Sequence, residues 1–185
     1  MIMGIDYGAR YSGKTVICYD DSDQLLLRRV DKKADADAFV RQHVLHHHPR
    51  LIAIDAPLSL PTAYHGHGDD YMYRKCDRAC QAMSPMFLGG LTARAMSLRA
   101  QLLQYEFIET YPSMHYREAF PGVKKDNKVF SAARDHFLPL MHFKMDISPI
   151  DWHELDATLA WYSGWRYNQD AHICHGDDAE GLIII

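Results

Sequence analysis

Ile2–Thr15 reads IMGIDYGARYSGKT and opens the chain. Its apolar first residues predict a buried strand, and that strand ends on a single carboxylate, Asp6. Residues 8–15, GARYSGKT, also match the phosphate-binding pattern G-x-x-x-x-G-K-[ST] without a gap. The stretch is therefore compatible with two kinds of site, a metal ion held by Asp6 or a nucleotide phosphate held by Lys14 and Thr15.

The residues after Lys14 and Thr15 favour one of these sites. A phosphate-binding loop of this kind must lead straight into a helix, because the helix N-terminus supplies the amides that bind phosphate. The chain continues instead with VICYDD, residues 16–21, whose β-branched and aromatic side chains are typical of a strand. We therefore expect a hairpin of two strands. An ATP-binding phosphotransferase or ATPase, of the P-loop or the actin-like type, remains an alternative function.

The composition limits the class of protein. A chain of 185 residues is enough for one domain, residues 1–185, with a single sizeable core. A formal net charge of −4 gives no overall basic field for nucleic acid, although metal ions can neutralise an acidic site locally. No apolar run approaches the length of a membrane helix and no secretory signal is recognisable, so we expect a cytoplasmic protein with reduced thiols.

Strand and helix patterns interleave along the rest of the chain, which predicts a layered α/β domain. Three strands form a meander at the N-terminus, and two later strands complete a mixed sheet of five. The tail reads as an edge hairpin or a final strand, and the last long helix has a cap pattern that begins at Ser148. The predicted strands lie within 2–7, 14–20, 24–30, 51–57 and 105–112, and the predicted helices are 34–48, 74–83, 92–104, 129–140 and about 149–167.

Four acidic residues end strands or lie beside an apolar helix face. Asp6 and Asp55 each close an apolar strand, and Glu109 closes the next one. Asp156 lies in the last long helix, beside the stripe that should face the sheet. Four acids at one edge of a sheet would repel each other and resist ionisation. Because Mg²⁺ and Mn²⁺ prefer oxygen ligands and would relieve that repulsion, the joint placement predicts a metal site.

Short motifs along nearly the whole chain resemble those of known groups of proteins. GIDYG, residues 4–8, with the later Gly13, resembles the first strand of the RNase H-like superfamily and of bacterial Holliday-junction resolvase-like proteins. The later motifs, in their order, resemble an uncharacterised family of predicted nucleases with the RNase H fold. These motifs are IAIDAPL (52–58), RKCDR (74–78) with Ser84-Pro85, IETYP (108–112), HELDATLA (153–160) and EGLI (180–183).

The resemblance implies an α/β fold of the RNase H type, with three α/β/α layers around a mixed five-stranded sheet. It implies that Asp6, Asp55 and Asp156 bind Mg²⁺ or Mn²⁺, and that Glu109 joins them as a fourth catalytic acid. The implied activity is hydrolysis of phosphodiester bonds at a two-metal site. The expected partner is nucleic acid, either DNA or RNA, and no contact with a membrane is expected. The chain could also form a homodimer. A binding module without catalysis, on the same fold, is the second alternative.

Five basic residues are candidates for binding substrate phosphate. Arg74 and Arg78 can bind phosphate bidentately if their element lies over the acidic edge of the sheet. Lys124, Lys125 and Lys128 lie in a basic loop that could contact the nucleic-acid backbone. For each residue, a solvated surface charge or a structural ion pair is the alternative interpretation.

Cysteine and histidine spacing leaves two further possibilities open. Cys76 and Cys80, together with Cys174 and His175, could form a zinc site, although the first two are spaced by one helical turn and not as in a zinc knuckle. His65 and His67 lie in the segment that follows the fourth predicted strand and could act as ligands or in catalysis. The spacing alone assigns neither role.

Overall fold

The computed structural model describes residues 1–141 and 143–185, and within them strands and helices interleave as the sequence predicts. The strands are β1 (Ile2–Asp6), β2 (Val16–Asp21), β3 (Gln24–Arg29), β4 (Leu51–Asp55), β5 (Glu106–Thr110), β6 (Lys144–Met145), β7 (Cys174–Asp177) and β8 (Gly181–Ile184). The helices are α1 (Ala36–His47), α2 (Lys75–Cys80), α3 (Pro85–Leu88), α4 (Gly90–Gln101), α5 (Pro112–Ala119), α6 (Phe130–Phe137) and α7 (Trp152–Asn168). Short 3-10 helices cover Thr62–His65 and Leu138–Met141.

The described strands form one mixed sheet in the order β6-β3-β2-β1-β4-β5-β8-β7. β1, β2 and β3 are an antiparallel meander, and β4 and β5 follow β1 in parallel. The predicted hairpin is confirmed, and since β2 begins directly after Lys14 and Thr15, no helix N-terminus is available there for a phosphate. The predicted extent of five strands is wrong, because β6 pairs with β3 and the β8–β7 hairpin extends the other edge.

Alternate residues of the central strands face two helical layers. Met3 and Ile5 of β1 pack with α1 and α4 on one face of the sheet, whereas Ile2 belongs to a core that includes residues of α5, α6 and α7 on the other face. Strands that are buried on both faces read as nearly continuous apolar runs, which is why β1 and β4 were recognisable in the sequence. The domain therefore has three layers, α/β/α, with β1 and β4 at its centre.

Helix α7 approaches β1 so closely that position 4 accommodates only glycine. A Cβ atom added to Gly4 would lie 2.1 Å from the backbone nitrogen of Trp161 and 2.4 Å from the carbonyl oxygen of Ala157. Since both of these are backbone atoms, no change of side-chain rotamer would relieve the clash. The close approach matters for the site, because α7 carries Asp156 and β1 carries Asp6.

Gly4→Ala is expected to lower the free energy of unfolding by about 2–3 kcal/mol, because α7 must move away from β1. Gly90→Ala is the matched control, since a Cβ on Gly90 at the start of α4 would meet nothing within 4 Å. There, alanine should leave stability unchanged or raise it by up to about 1 kcal/mol. Urea unfolding followed by circular dichroism measures both variants, and equal effects at the two positions would contradict the close approach.

Helix α7 is the longest helix described, with 17 residues. Asp151 caps it, because its carboxylate accepts a hydrogen bond from the N–H of Glu154 at 3.1 Å. The prediction that the cap begins at Ser148 is therefore wrong by three residues. Among the described helices, α7 included, none combines the length and the hydrophobicity needed to cross a lipid bilayer.

His115 of α5 is buried against α7. Its Nε2 atom lies 2.8 Å from the hydroxyl oxygen of Ser163, which itself donates to the carbonyl oxygen of Leu159 and so can accept a hydrogen bond from the imidazole. Burial lowers the pKa of His115 to about 4. The imidazole is therefore neutral in the folded protein at neutral pH.

His115 is expected to make stability fall as the pH falls. The pKa of an unfolded histidine is about 6.5, so between that pH and about pH 4 the unfolded chain binds a proton that the folded chain does not. The loss should reach roughly 3 kcal/mol and level off below that window. His115→Gln retains a donor for Ser163 and removes this contribution. The difference in unfolding free energy between parent and variant, measured from pH 7 downwards, separates the contribution of His115 from that of the titrating carboxylates. A difference that does not depend on pH would refute the prediction.

Candidate active site

Asp6 and Asp55 lie side by side at the carboxyl ends of two adjacent parallel strands. They are partners in the register of β1 and β4. Since in-register neighbours of parallel strands point to the same face, both side chains are directed towards the α7 face of the sheet. Each strand is buried up to its aspartate, so each carboxylate lies where the buried strand gives way to a loop.

Asp156 reaches the same place from the buried face of α7. Burial, followed by the negative charges of Asp6 and Asp156, raises the pKa of Asp55 well above its usual range. Burial also raises the pKa of Asp156 to about 6 and raises the pKa of Asp6. The three acids that the sequence singled out as metal ligands therefore lie together, and we term Asp6, Asp55 and Asp156 the acid cluster.

Two cationic side chains pair with the acid cluster. The Nζ atom of Lys125 lies 2.7 Å from both carboxylate oxygens of Asp156 and 4.7 Å from the ring centre of Trp152. The Nδ1 atom of His153 lies 2.7 Å from Oδ2 of Asp6, and this hydrogen bond raises the pKa of His153. Asp156 is thus paired with Lys125 and Asp6 with His153, whereas Asp55 is influenced by Lys125 through its charge alone.

Sequence reasoning did not single out His153 as a site residue. A signal for it exists, because His153 precedes Asp156 by three positions and so lies on the same face of α7. Its side chain is 36% exposed, against 13% for Asp6. The imidazole therefore connects the acid cluster with the protein surface.

Glu109 does not join the acid cluster. In the register of β4 and β5 it lies opposite Ile54, one residue out of phase with Asp55, so its side chain points to the other face of the sheet. There its two carboxylate oxygens accept hydrogen bonds from Arg74 at 2.6 and 2.7 Å, and one also accepts from the N–H of Leu58. The structure therefore pairs Glu109 with Arg74 on the other face of the sheet, although Glu109 still lines the cleft that contains Asp6 and Asp55 and its charge helps to raise the pKa of Asp55.

Arg74 lies in the interior of the domain. Its side chain has no exposed surface, and its guanidinium group bridges Glu109 and the equally buried Asp77, which accepts at 2.6 and 3.0 Å. One amino group also donates to the hydroxyl of Ser59 at 2.8 Å. The prediction that Arg74 binds substrate phosphate is therefore wrong, because the guanidinium group is already fully engaged and inaccessible.

The remaining basic candidates lie at the surface. Arg78 is 62% exposed and pairs with Asp70 at 2.5 Å. Lys124 and Lys128 are exposed in the loop between α5 and α6, on either side of Lys125. These four side chains are accessible or partly accessible, so their proposed contacts with phosphate stay open to test.

A cleft of about 260 Å³ opens beside the acid cluster. Asp6 and Asp55 contribute to its lining, and so do Met83 and Leu88, which belong to the connection between β4 and α4. A larger cavity, of about 360 Å³, lies where β5 and β8 diverge, with Arg99 in its lining and no member of the acid cluster. We place the candidate site in the smaller cleft, because that cleft contains the perturbed carboxylates.

The acid cluster offers the type of ligand atom that a divalent metal ion prefers. Its carboxylates offer only oxygen ligands, as Mg²⁺ and Mn²⁺ prefer, and a cation would relieve the repulsion that raises the pKa of Asp55. As the side chains are placed, no group of three or more His, Cys, Asp or Glu within residues 1–141 and 143–185 could hold a metal ion. A metal ion would therefore have to compete with Lys125 for Asp156.

The cysteine residues do not form the zinc site that their spacing left open. Cys76 and Cys80 are buried free thiols, Cys174 is an exposed one, and no such metal-binding group occurs in the described part of the chain. His65 and His67 are exposed in the connection between β4 and α4. No contact of theirs assigns them a role.

Comparison with known proteins identifies no family. No protein-family model matches the chain, and no curated protein matches it in sequence. Among solved structures, the chain is similar to that of RuvC from Thermus thermophilus, with 14% sequence identity, a TM-score of 0.45 and coverage of 95% of this chain and 98% of that chain. This likeness is too distant to carry an argument about activity, so the functional interpretation rests on the geometry of the acid cluster.

Proposed function

We propose that the chain is a metal-dependent nuclease with an RNase H-like fold that hydrolyses phosphodiester bonds of nucleic acid. The observation that carries this proposal is the convergence of Asp6, Asp55 and Asp156, with the pKa of each raised by burial and with Asp6 and Asp55 lining an open cleft. Keeping like charges together in a buried place costs stability, and such arrangements are typical of functional sites.

Asp6, Asp55 and Asp156 would hold the metal, Mg²⁺ or Mn²⁺. When bound, such ions supply an activated water and neutralise the charge that develops on the phosphodiester. The protein supplies the position of the ligands: the shared register of β1 and β4 fixes Asp6 next to Asp55, and the close packing of α7 on β1 fixes Asp156. These are rigid elements of the fold, which suits a site that depends on precise geometry.

Lys125 and His153 have positioning roles in this proposal. His153 holds the carboxylate of Asp6 in one orientation through its hydrogen bond. Lys125 neutralises Asp156. With a metal ion bound to that carboxylate, the ammonium group of Lys125 would be available to contact a substrate phosphate. Lys124 and Lys128, on the same loop, extend this basic surface along the backbone of a nucleic acid.

Incubation of the purified protein with single-stranded DNA, duplex DNA and RNA tests the proposed function. We expect cleavage with Mg²⁺ or Mn²⁺, none with EDTA, and loss of both cleavage and Mn²⁺ binding in Asp6→Asn. Asp135→Asn makes the same chemical change at an exposed position of α6 and should behave as the parent. Failure to cut any substrate, combined with unaltered Mn²⁺ binding by Asp6→Asn, would reject the proposal.

A further inference from the structure

Exposed aromatic side chains are concentrated on the connection between β4 and α4. Tyr64, Tyr71 and Phe87 are 44, 53 and 65% exposed, and Tyr73 is partly buried beside them. Single exposed rings are common on protein surfaces, whereas a contiguous group of them marks an interaction site. We term these four residues the aromatic patch.

The rings of the aromatic patch form two pairs, and one of the pairs contacts a cation. The rings of Tyr64 and Tyr71 meet edge to face at 5.3 Å, and those of Tyr73 and Phe87 at 6.2 Å. The guanidinium group of the exposed Arg78 lies 4.6 Å from the ring centre of Tyr73. The patch thus combines accessible π-faces with an arginine, the combination on which nucleobases stack.

Local hydrogen bonds hold the patch in place. Asp70 accepts from the backbone N–H groups of Met72 and Tyr73 at 2.9 and 3.0 Å, and it also binds Arg78. The hydroxyl of Ser84 donates to the carbonyl oxygen of Met72 and ties this turn to the start of α3. The rings are therefore presented on an ordered surface, which lowers the entropic cost of binding.

The aromatic patch neighbours the cleft beside the acid cluster along the chain. Phe87 belongs to α3, and its neighbour Leu88 lines the cleft, as does Met83 just before that helix. The same cleft contains Asp6 and Asp55. A chain that lay across the patch would therefore lead directly to the carboxylates.

We propose that the aromatic patch binds unpaired bases of a single-stranded nucleic acid beside the acid cluster, an inference that rests on the proposed function. In a duplex the base faces are covered by their neighbours, so exposed rings find nothing on which to stack. Asp69 and Asp70 offset Lys75 and Arg78, so stacking on the rings must supply most of the affinity of this surface, and only unpaired bases can stack there.

Fluorescence anisotropy in EDTA, where no cleavage occurs, tests this surface with a labelled oligothymidine and a duplex of the same length. The parent should bind the single strand at least about tenfold more tightly than the duplex, and Phe87→Ala should weaken single-strand binding by about tenfold, as expected for one stacked base. Phe87→Leu keeps an apolar side chain without a ring and should lose as much, whereas Phe87→Trp should retain the affinity. Leu103→Ala is the control, because Leu103 is 78% exposed just before β5, at the amino end of a strand parallel to β4, whereas the patch follows the carboxyl end of β4.

Three results would overturn the inference: equal affinity for both nucleic acids, unchanged affinity in Phe87→Ala, or full affinity in Phe87→Leu, which would indicate a general apolar surface for a protein or a lipid. The inference fails separately from the proposed function. Ring-dependent binding without any cleavage in Mn²⁺ would support the patch and reject the nuclease. Cleavage that needs Asp6, with no effect of Phe87→Ala on single-strand binding, would support the nuclease and reject the patch.

Discussion

Asp55→Asn is expected to lower the rate of phosphodiester cleavage by at least about a thousandfold, because metal-bound carboxylates support several kcal/mol of transition-state stabilisation. The same substitution should raise the melting temperature of the metal-free protein at neutral pH. Burial, together with the charges of Asp6 and Asp156, raises the pKa of Asp55, so its ionised form destabilises the fold. Asparagine keeps the shape of the side chain and removes that charge.

Opposite effects on activity and stability distinguish a functional carboxylate from a structural one. Single-turnover cleavage with Mn²⁺ and thermal unfolding in EDTA measure the two quantities on the same preparations. Asp135→Asn, at the exposed end of α6, should change neither. An Asp55→Asn protein that melts at a lower temperature than the parent and cleaves at the parent's rate would show that Asp55 is a structural residue.

Arg74→Met is expected to lower the free energy of unfolding by about 3–5 kcal/mol, the usual cost of removing one partner from a buried ion pair. The guanidinium group bridges Asp77 and Glu109, and all three side chains are at most 6% exposed. Without it, two carboxylates remain buried with no cation. Urea unfolding at neutral pH measures the loss, which should diminish at acidic pH as those carboxylates become protonated.

Arg78→Met provides the matched control for Arg74→Met. It makes the same chemical change four residues along the chain, at a side chain that is 62% exposed, and exposed ion pairs contribute no more than about 1 kcal/mol. Similar losses of stability in the two variants would contradict the structural role of Arg74.

The sequence predicted the centre of the fold and the acid cluster for a physical reason. Strands β1 and β4 are buried on both faces, so each reads as an apolar run, and a carboxylate at the end of such a run is conspicuous. The later strands are less distinctive: β6 has two residues, and β7 reads CHGD. A segment as short as β6 has no pattern that predicts pairing, whereas the tail does predict an edge hairpin or a final strand, which the expected sheet of five strands did not include.

The roles of Glu109 and Arg74 depend on information that is not local. Whether Glu109 points to the same face as Asp55 is set by the register of β4 and β5, and a shift of one residue reverses the answer. For Arg74, the sequence left phosphate binding, a solvated surface charge and a structural ion pair open, because it does not show which part of the β4–α4 connection is covered; the structure shows the ion pair. The sequence could have identified His153 as a site residue, because its spacing from Asp156 places both residues on one face of α7.

Crystals of the protein soaked in Mn²⁺ test the central claim most directly. The account predicts anomalous density in contact with Asp6, Asp55 and Asp156, with the ammonium group of Lys125 displaced from Asp156, and no such density in crystals of Asp55→Asn. If saturating Mn²⁺ leaves no density at the acid cluster and Lys125 is still paired to Asp156, the proposed metal site is contradicted.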